Sequence, residues 1–482
     1  MKIKLILSTI FLLGISKLGF SQWVNHTLVE ARSEMTTAVV GDKILFAGGN
    51  SPSNQVDIYD ALSGVWTSHT MTTPKKYPIS KVIGDKVFII SGNYGSLDSC
   101  MVIDIYDNAS LNWTTDTLHP IFYGASFSAE VYNQSIVFNV ENLSFSHGLI
   151  ATYNTSLSTW SLDTLADSLR SNKITIHQDE ALWYTNPWYL NQEYLVHYDL
   201  LTHQLSFDSI PSSAYAEIYT AGDRTFIVGG YFPFSSWTNP YYLVYNHQAD
   251  TFHLDNYISG NVKGIQYGSK MYIVGGTSYA GMLSPSNNGH IIIHDLHTDQ
   301  VQFSYMSEDR AGFALTAACG HVYIAGGYDL NPFVEYSYLD ILDTATLNIS
   351  TIHLPIARFN VTANAAKDVV VFAGGQLSGS YNFIDQAHVI GCTYTGLEDE
   401  LANSISIYPN PATSYVQING NGLNEKMKVQ LINSMGQVAL PLQYLSNTSQ
   451  INVSSMVNGL YILQIFSSSG ELLYNHSLMI NR

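Results

Sequence analysis

Along residues 22–394, short apolar runs alternate with polar turns at one long period. Each run of four or five apolar residues follows a turn and ends on glycines, as in Gly41-Asp42-Lys43-Ile44-Leu45-Phe46-Ala47-Gly48-Gly49. The module returns at 84–92, 222–230, 268–276, 319–327 and 367–375, and copies at 133–141 and 178–186 keep the run without the glycines. With the first glycine position as anchor, the copies fall at 48, 91, 140, 185, 229, 275, 326 and 374. The spacing of 43 to 51 residues is that of a repeat array. A run with no polar alternation predicts a short strand buried on both faces. The glycine pair predicts its end, where backbone with positive φ bends out of a crowded sheet.

A second pattern follows each anchor. Tyr59-Asp60 precedes Trp66, Tyr106-Asp107 precedes Trp113, and Tyr153-Asn154 precedes Trp160. Tyr198-Asp199 leads to Leu205, Tyr245-Asn246 to Phe252, His294-Asp295 to Val301 and Leu342-Asp343 to Ile349. The interval is seven each time, and its second residue is always Asp or Asn. Such side chains bind backbone amides two residues on, so the pattern predicts one tight hairpin built seven times. Each unit then holds four strands.

An apolar run ending in Gly-Gly, followed by a Tyr-Asp and Trp hairpin, resembles the kelch repeat over residues 22–394. The resemblance implies an all-β fold, a β-propeller with one four-stranded blade per repeat. Gln22-Trp23-Val24-Asn25-His26-Thr27-Leu28 reads as a Trp strand with no blade before it, while the eighth unit stops after its third strand near Thr393. Pairing the two closes the ring without an open edge and gives eight blades, with seven as the alternative.

Outside the array the pattern changes. Residues 1–21 carry Lys2 and Lys4, an apolar run from Leu5 to Ile15 and a small-x-small end at Gly19-Phe20-Ser21, which predicts a removed secretory signal. No other segment is apolar enough to span a membrane as a helix. Residues 395–404 are acidic and lack strand patterning, so they read as a linker. From 405 to 482 short alternating strands predict a small β-sandwich.

This tail resembles the C-terminal sorting domain of the type IX secretion system. The resemblance rests on Tyr408-Pro409-Asn410-Pro411, on Met435-Gly436-Gln437, on Asn458-Gly459-Leu460-Tyr461 and on the basic end at Arg482. It implies the type IX machinery as partner, transport across the outer membrane, and a secreted or cell-surface protein from which the tail is usually cut.

Composition narrows the partners. Charged residues are 12% of the chain and the formal net charge is −18, which disfavours nucleic acid and anionic membranes. The three cysteines, Cys100, Cys319 and Cys392, fall in different blades, so free, buried thiols are expected rather than a disulfide framework. No Cys or His spacing matches a zinc signature, and no metal or cofactor is expected. His294 with His297, and His197 with His203, lie on the repeated hairpin and read as structural. No nucleophile elbow, P-loop or dinucleotide fingerprint is present.

Strand alternation puts the second-to-third and blade-to-blade connections on one face, where loops are long and variable. That loop face is the expected binding face. Its loops carry Trp188, Tyr231, Trp237, Tyr328 and Tyr381, which suit sugar rings or protein partners, or else pack the loops themselves. Sixteen residues before the anchor stand Arg32, Lys75, Arg310 and Arg358, in four blades that are consecutive in a closed ring. They read either as an arc for an anionic ligand or as scaffold arginines bonding loop carbonyls. Asp-Ser/Thr followed by a small or apolar residue resembles the Bacteroidetes-type O-glycosylation signal, which implies sugar on Thr117, Thr164, Ser168, Ser209 and Thr344.

Two functions follow. The first is a non-catalytic binding module for a glycan or protein. The second is a carbohydrate-active enzyme in the manner of kelch sialic-acid epimerases or galactose oxidase, whose copper ligands find no counterpart in this sequence.

Overall fold

The computed structural model describes residues 23–481, apart from 93–100, 119–125, 142–147, 166–172, 185–192, 211–215, 230–240, 256–261, 276, 280–284, 288, 331–332, 380–381, 393–404, 421–426, 434–437, 446–447 and 467–471. Two compact units emerge, one of residues 23–392 and one containing 393–482.

The first unit is an eight-bladed β-propeller. Its described residues form eight four-stranded antiparallel sheets, in seven of which each strand is hydrogen-bonded to the next in sequence order. Blade 1 comprises Thr36–Val40, Lys43–Ala47, Ser53–Asp60 and Val65–Lys75. Blades 2 to 6 span 79–118, 126–164, 175–210, 217–255 and 262–305, and blade 7 comprises Ala314–Ala318, His321–Ala325, Tyr338–Asp343 and Ile349–His353. The first strands stand side by side around a central channel, and Thr36–Val40 of blade 1 lies beside Thr362–Ala366 of blade 8. Blade 8 adds Val369–Ala373 and Gln386–Gly391, and its fourth strand is the N-terminal Val24–Thr27. That closing strand pairs Val24 with Val389 and Thr27 with Gln386, so both chain ends meet in one sheet.

The core lies between blades. Leu182, Tyr184 and Leu195 of blade 4 pack on Ile218, Ile227 and Leu243 of blade 5, and all six are buried. This is why the second and third strands read as unbroken apolar runs: both faces of each sheet meet a neighbouring sheet.

The hairpins obey the seven-residue interval. Tyr59 faces Trp66, Tyr106 faces Trp113 and Tyr153 faces Trp160 across the strand pair. The oxygen of Asp60 accepts the amides of Leu62 and Ser63, and the same two bonds recur at Asp107, Asn154, Asp199, Asn246, Asp295 and Asp343. Those amides hold the carboxyls of Asp60, Asp107, Asp199, Asp295 and Asp343 below the ordinary range.

Four residues after each Asp or Asn the backbone is left-handed, at Gly64, Leu111, Ser158, His203, Asp250, Asp299 and Leu347. Leu111 is exposed and holds φ 57° with a branched side chain. Leu111→Gly, the residue blade 1 uses there, is expected to raise stability by about 0.5–1 kcal/mol, the left-handed strain less the extra entropy glycine loses. Urea denaturation of residues 22–482 checks it, and a lower midpoint would contradict the turn geometry.

The second unit has a three-stranded sheet of Ile405–Tyr408, Tyr415–Gly420 and Thr448–Asn452. Its four-stranded sheet comprises Val438–Tyr444, Lys428–Asn433, Gly459–Phe466 and Leu472–Ile480. Val416, Ile418 and Ile451 of the first sheet pack with Leu431, Leu463, Ile465 and Leu478 of the second. The peptides Tyr408–Pro409 and Asn410–Pro411 are both cis. The Asn410 side chain accepts the amide of Met479, and Asn419 donates to the Tyr408 hydroxyl. Gly459 opens its strand, and Tyr461 donates from its hydroxyl to Val457 O. Gly436, residues 1–21 and the linker lie outside the described residues.

One expectation is corrected here. Cys319 and Cys392 are not free thiols but a disulfide joining the first turn of blade 7 to the end of the third strand of blade 8. The sequence hid the pair because ring geometry, not spacing, brings these two turns to adjacent positions on one face. Cys100 lies outside the described residues.

Candidate functional site

The basic arc exists, and it is interior. Arg32, Lys75, Arg310 and Arg358 are all at most 1% exposed, so none of them reaches a ligand in the channel. Arg32 pairs with Asp57, Lys75 with Asp104 at 2.9 Å and Arg310 with Asp340 at 2.9 Å, each carboxylate coming from the third strand of the blade that the cation leads into. The side chains also close backbone groups: Arg310 donates to Gly326 O at 2.8 Å, and Arg358 donates to Gly374 O and Gln386 O at 2.8 and 2.9 Å. The scaffold reading of these four residues therefore replaces the ligand reading.

The glycine pairs complete the same clasp. Gly327 donates its amide to Arg358 O, and Gly375 to Arg32 O, both at 2.9 Å, so each pair binds the basic residue of the next blade. A Cβ on Gly326 or Gly374 would collide with those carbonyl oxygens. Blades 3 to 6 show the clasp is one unit. Opposite the corresponding second-strand residues, where blades 1, 2 and 7 carry Asp57, Asp104 and Asp340, they place Ala151, Val196, Leu243 and Ile292, and they carry no cation sixteen residues before the anchor.

What the arc presents to the channel is the residue two positions on. Glu34, Tyr77, Gly312 and Asn360 all have left-handed backbone, with φ of 51°, 47°, 64° and 51°, and all line the loop-face mouth. Backbone bonds knit this rim together: Asn360 donates to Gly312 O at 2.7 Å, and Glu34 to Asn360 O at 3.2 Å. Blades 4 to 6 supply Lys173, Glu217, Tyr219 and Lys263 to the same cavity, whose volume is about 830 Å³.

Among the described residues the charges of this mouth balance: Glu34 and Glu217 against Lys173 and Lys263. Lys173 and Glu217 pair at 2.8 Å. Lys263 donates to Phe313 O at 2.7 Å and stays open to channel water, although protein surrounds it inside the ring. Loss of hydration pushes the Lys263 ammonium down and the Glu34 carboxyl up, and each charge partly offsets the shift of the other. Burial also pushes the Tyr219 phenol up, and that hydroxyl accepts the Gly264 amide at 3.0 Å. The Tyr77 ring is exposed, and its hydroxyl donates to Asn50.

Of the loop aromatics, Tyr328 lines the mouth and also packs against Phe333 and Phe359, with ring centroids 5.3 and 5.1 Å apart. Trp188, Tyr231, Trp237 and Tyr381 lie outside the described residues. The rim residues Glu34 and Asn360 escaped sequence reasoning, although each stands two places after a singled-out arginine.

The acceptor motifs carry structural aspartates. Asp116 accepts the Tyr153 hydroxyl of the next blade, and Asp163 the Tyr198 hydroxyl, both at 2.8 Å. The Thr344 hydroxyl donates to Gly320 O, Thr117 is half-buried, and Thr164 and Ser209 are exposed. Ser168 lies outside the described residues.

The histidines are engaged. His294 bonds Tyr242 at 2.7 Å and Asp299 at 3.0 Å, while His197 stands between Glu180 at 3.2 Å and Asp208 at 3.0 Å. With His177 and His247, whose rings stack at 3.7 Å, His197 lines a polar cleft between blades 4 and 5 on the turn face. Among the described residues, no group of three His, Cys, Asp or Glu side chains is placed to hold a metal.

Residues 406–481 match the family described as "Secretion system C-terminal sorting domain". The tail is an export signal. It directs the protein through the type IX system to the cell surface or the medium. The chain is also similar to the solved structure of a fungal alcohol oxidase of the AA5 family in complex with copper. That likeness has a TM-score of 0.47 and 11% identity over 95% of this chain and 99% of the other. The structure of YjhT is similar with a TM-score of 0.38 and 10% identity, over 75% of this chain and 96% of that one. Neither likeness carries chemistry to this chain, and the propeller stands on its own strand pairing. No curated protein matches the sequence. Among the described residues, no helix is long and apolar enough to cross a membrane.

Proposed function

We propose that the propeller is a kelch-type, non-catalytic binding module that holds a glycan at the loop-face mouth of its channel after export. One observation carries this reading: the mouth combines tyrosine rings with charges that cancel. Tyr77 and Tyr328 offer aromatic surface on which the C–H face of a sugar ring packs. Glu34, Asn360 and Lys263 offer an acceptor, an amide and a donor around the same space. A polyhydroxylated ligand satisfies both kinds at once, and a cavity of 830 Å³ suits a short saccharide. Trp188, Tyr231, Trp237 and Tyr381 join this reading through their loop positions in the sequence.

A glycan array with the mature secreted chain tests it, followed by calorimetric titration of the hits. Tyr77→Ala and Lys263→Met are each expected to weaken binding about tenfold, the loss of one stacking or hydrogen-bond partner, with little change in melting temperature. An array without hits, or hits indifferent to both substitutions, would overturn the proposal. Chemical conversion of a bound sugar, followed by NMR, would move the protein to the enzyme class.

A further inference from the structure

Four blades share a buried cation, and one of them lacks its anion. In blades 1, 2 and 7 the third strand supplies Asp57, Asp104 or Asp340. Each of these carboxylates also accepts a backbone amide from the residue three positions before the cation: Val29, Thr72 and Ser307, at 3.0, 3.0 and 2.9 Å. Blade 8 changes both parts together. His388 stands opposite Phe372, where the sister blades place the aspartate, and Pro355, which has no amide to donate, stands three before Arg358.

Arg358 is 0% exposed and, among the described residues, meets only carbonyl oxygens, those of Gly374, Gln386 and, at 3.5 Å, Phe372. Among the described residues no carboxylate lies within 4.0 Å of it. Among the described residues its Nε has no hydrogen-bond partner, whereas the Nε of Arg310 donates to Gly326 O. His388 is 1% exposed, and its Nε2 is likewise unpartnered. Loss of hydration, with no opposing charge, pushes the Arg358 guanidinium down to about 9. A charge taken out of water without a counter-charge is among the costliest arrangements a protein interior can hold.

We propose that blade 8 binds a small monovalent anion of the halide class, held by Arg358 Nε and His388 Nε2 in place of the carboxylate of its sister blades. Arg358 brings the charge and an unused N–H. His388 Nδ1 lies 2.7 Å from the Asn25 side-chain oxygen. With that amide turned so that its nitrogen donates to Nδ1, the proton of the neutral ring sits on Nε2 and points to the anion. Burial and the neighbouring Arg358 charge push the His388 imidazole down to about 4, so the ring is neutral. The anion therefore stands beside the closing strand, where Asn25 and His388 pair across the seam of the ring.

Two measurements on the mature chain test the site. Crystals soaked in sodium bromide are expected to show an anomalous peak within hydrogen-bond reach of Arg358 Nε. In solution, replacing gluconate by chloride at constant ionic strength is expected to raise the melting temperature by about 3 °C when the site is near saturation. His388→Asp restores the carboxylate of blades 1, 2 and 7, so this variant is expected to lose the chloride response and to melt higher than the wild type in gluconate. No bromide at Arg358, or equal chloride responses in wild type and His388→Asp, would overturn the proposal. If His388→Asp does not fold, the bromide soak of the wild type decides alone.

Discussion

Replacing Asp340 by alanine is expected to lower stability by about 3–5 kcal/mol, the cost of leaving one member of a buried ion pair unpaired. Asp340 is wholly buried and collects Arg310, the Ser307 amide and the Thr351 hydroxyl, at 2.9, 2.9 and 2.6 Å. Its removal strands a guanidinium that is itself 0% exposed. The double replacement Arg310→Leu with Asp340→Val is expected to recover most of the loss. Blade 4 already carries Leu169 and Val196 at these two places, and apolar side chains of similar volume replace buried ion pairs at little cost. Urea denaturation of the two variants separates the cases. If Asp340→Ala stayed within about 1 kcal/mol of the wild type, below the range for a broken buried pair, Arg310 would not depend on this clasp and its assignment as scaffold would fall.

That clasp marks where the sequence was readable and where it was not. The hairpins were legible because a turn needs its Asp or Asn at one fixed offset, so seven Asx turns wrote the same interval seven times. The ring closure was legible because a propeller cannot leave a sheet edge unpaired, and the chain opens with the strand that its last unit lacks. The fate of the four cations was not legible from their own positions, since a loop-face position can point its side chain into the channel or into the blade. The signal lay elsewhere in the repeat. Asp57-Ile58-Tyr59-Asp60, Asp104-Ile105-Tyr106-Asp107 and Asp340-Ile341-Leu342-Asp343 each place a carboxylate inside an otherwise apolar strand, and a buried carboxylate needs a buried cation. Blades without the cation lack that aspartate. The mouth left no such trace, because Glu34, Tyr77 and Asn360 stand at a position whose residue differs from blade to blade.

Opening the Cys319–Cys392 bond is expected to cost about 4 kcal/mol, the loop-closure term for a cross-link of this span. The two half-cystines are 73 residues apart in sequence, with Cα atoms 5.9 Å apart. Cys392 directly follows Gln386–Gly391, the strand that carries the closing strand Val24–Thr27. That closing strand has four residues, so little pairing holds the outer edge of blade 8. The disulfide fixes the end of its partner strand to blade 7, so that strand keeps its place when the short closing strand frays. Melting the mature chain with and without a thiol reductant is the direct measurement, with Cys392→Ala as the genetic counterpart. Both are expected to melt lower by a similar amount, and the denatured, unreduced wild type should titrate one thiol per chain, that of Cys100. Three free thiols, or a reduced chain that melts with the oxidised one, would remove the disulfide from the account and leave the seam to its hydrogen bonds alone.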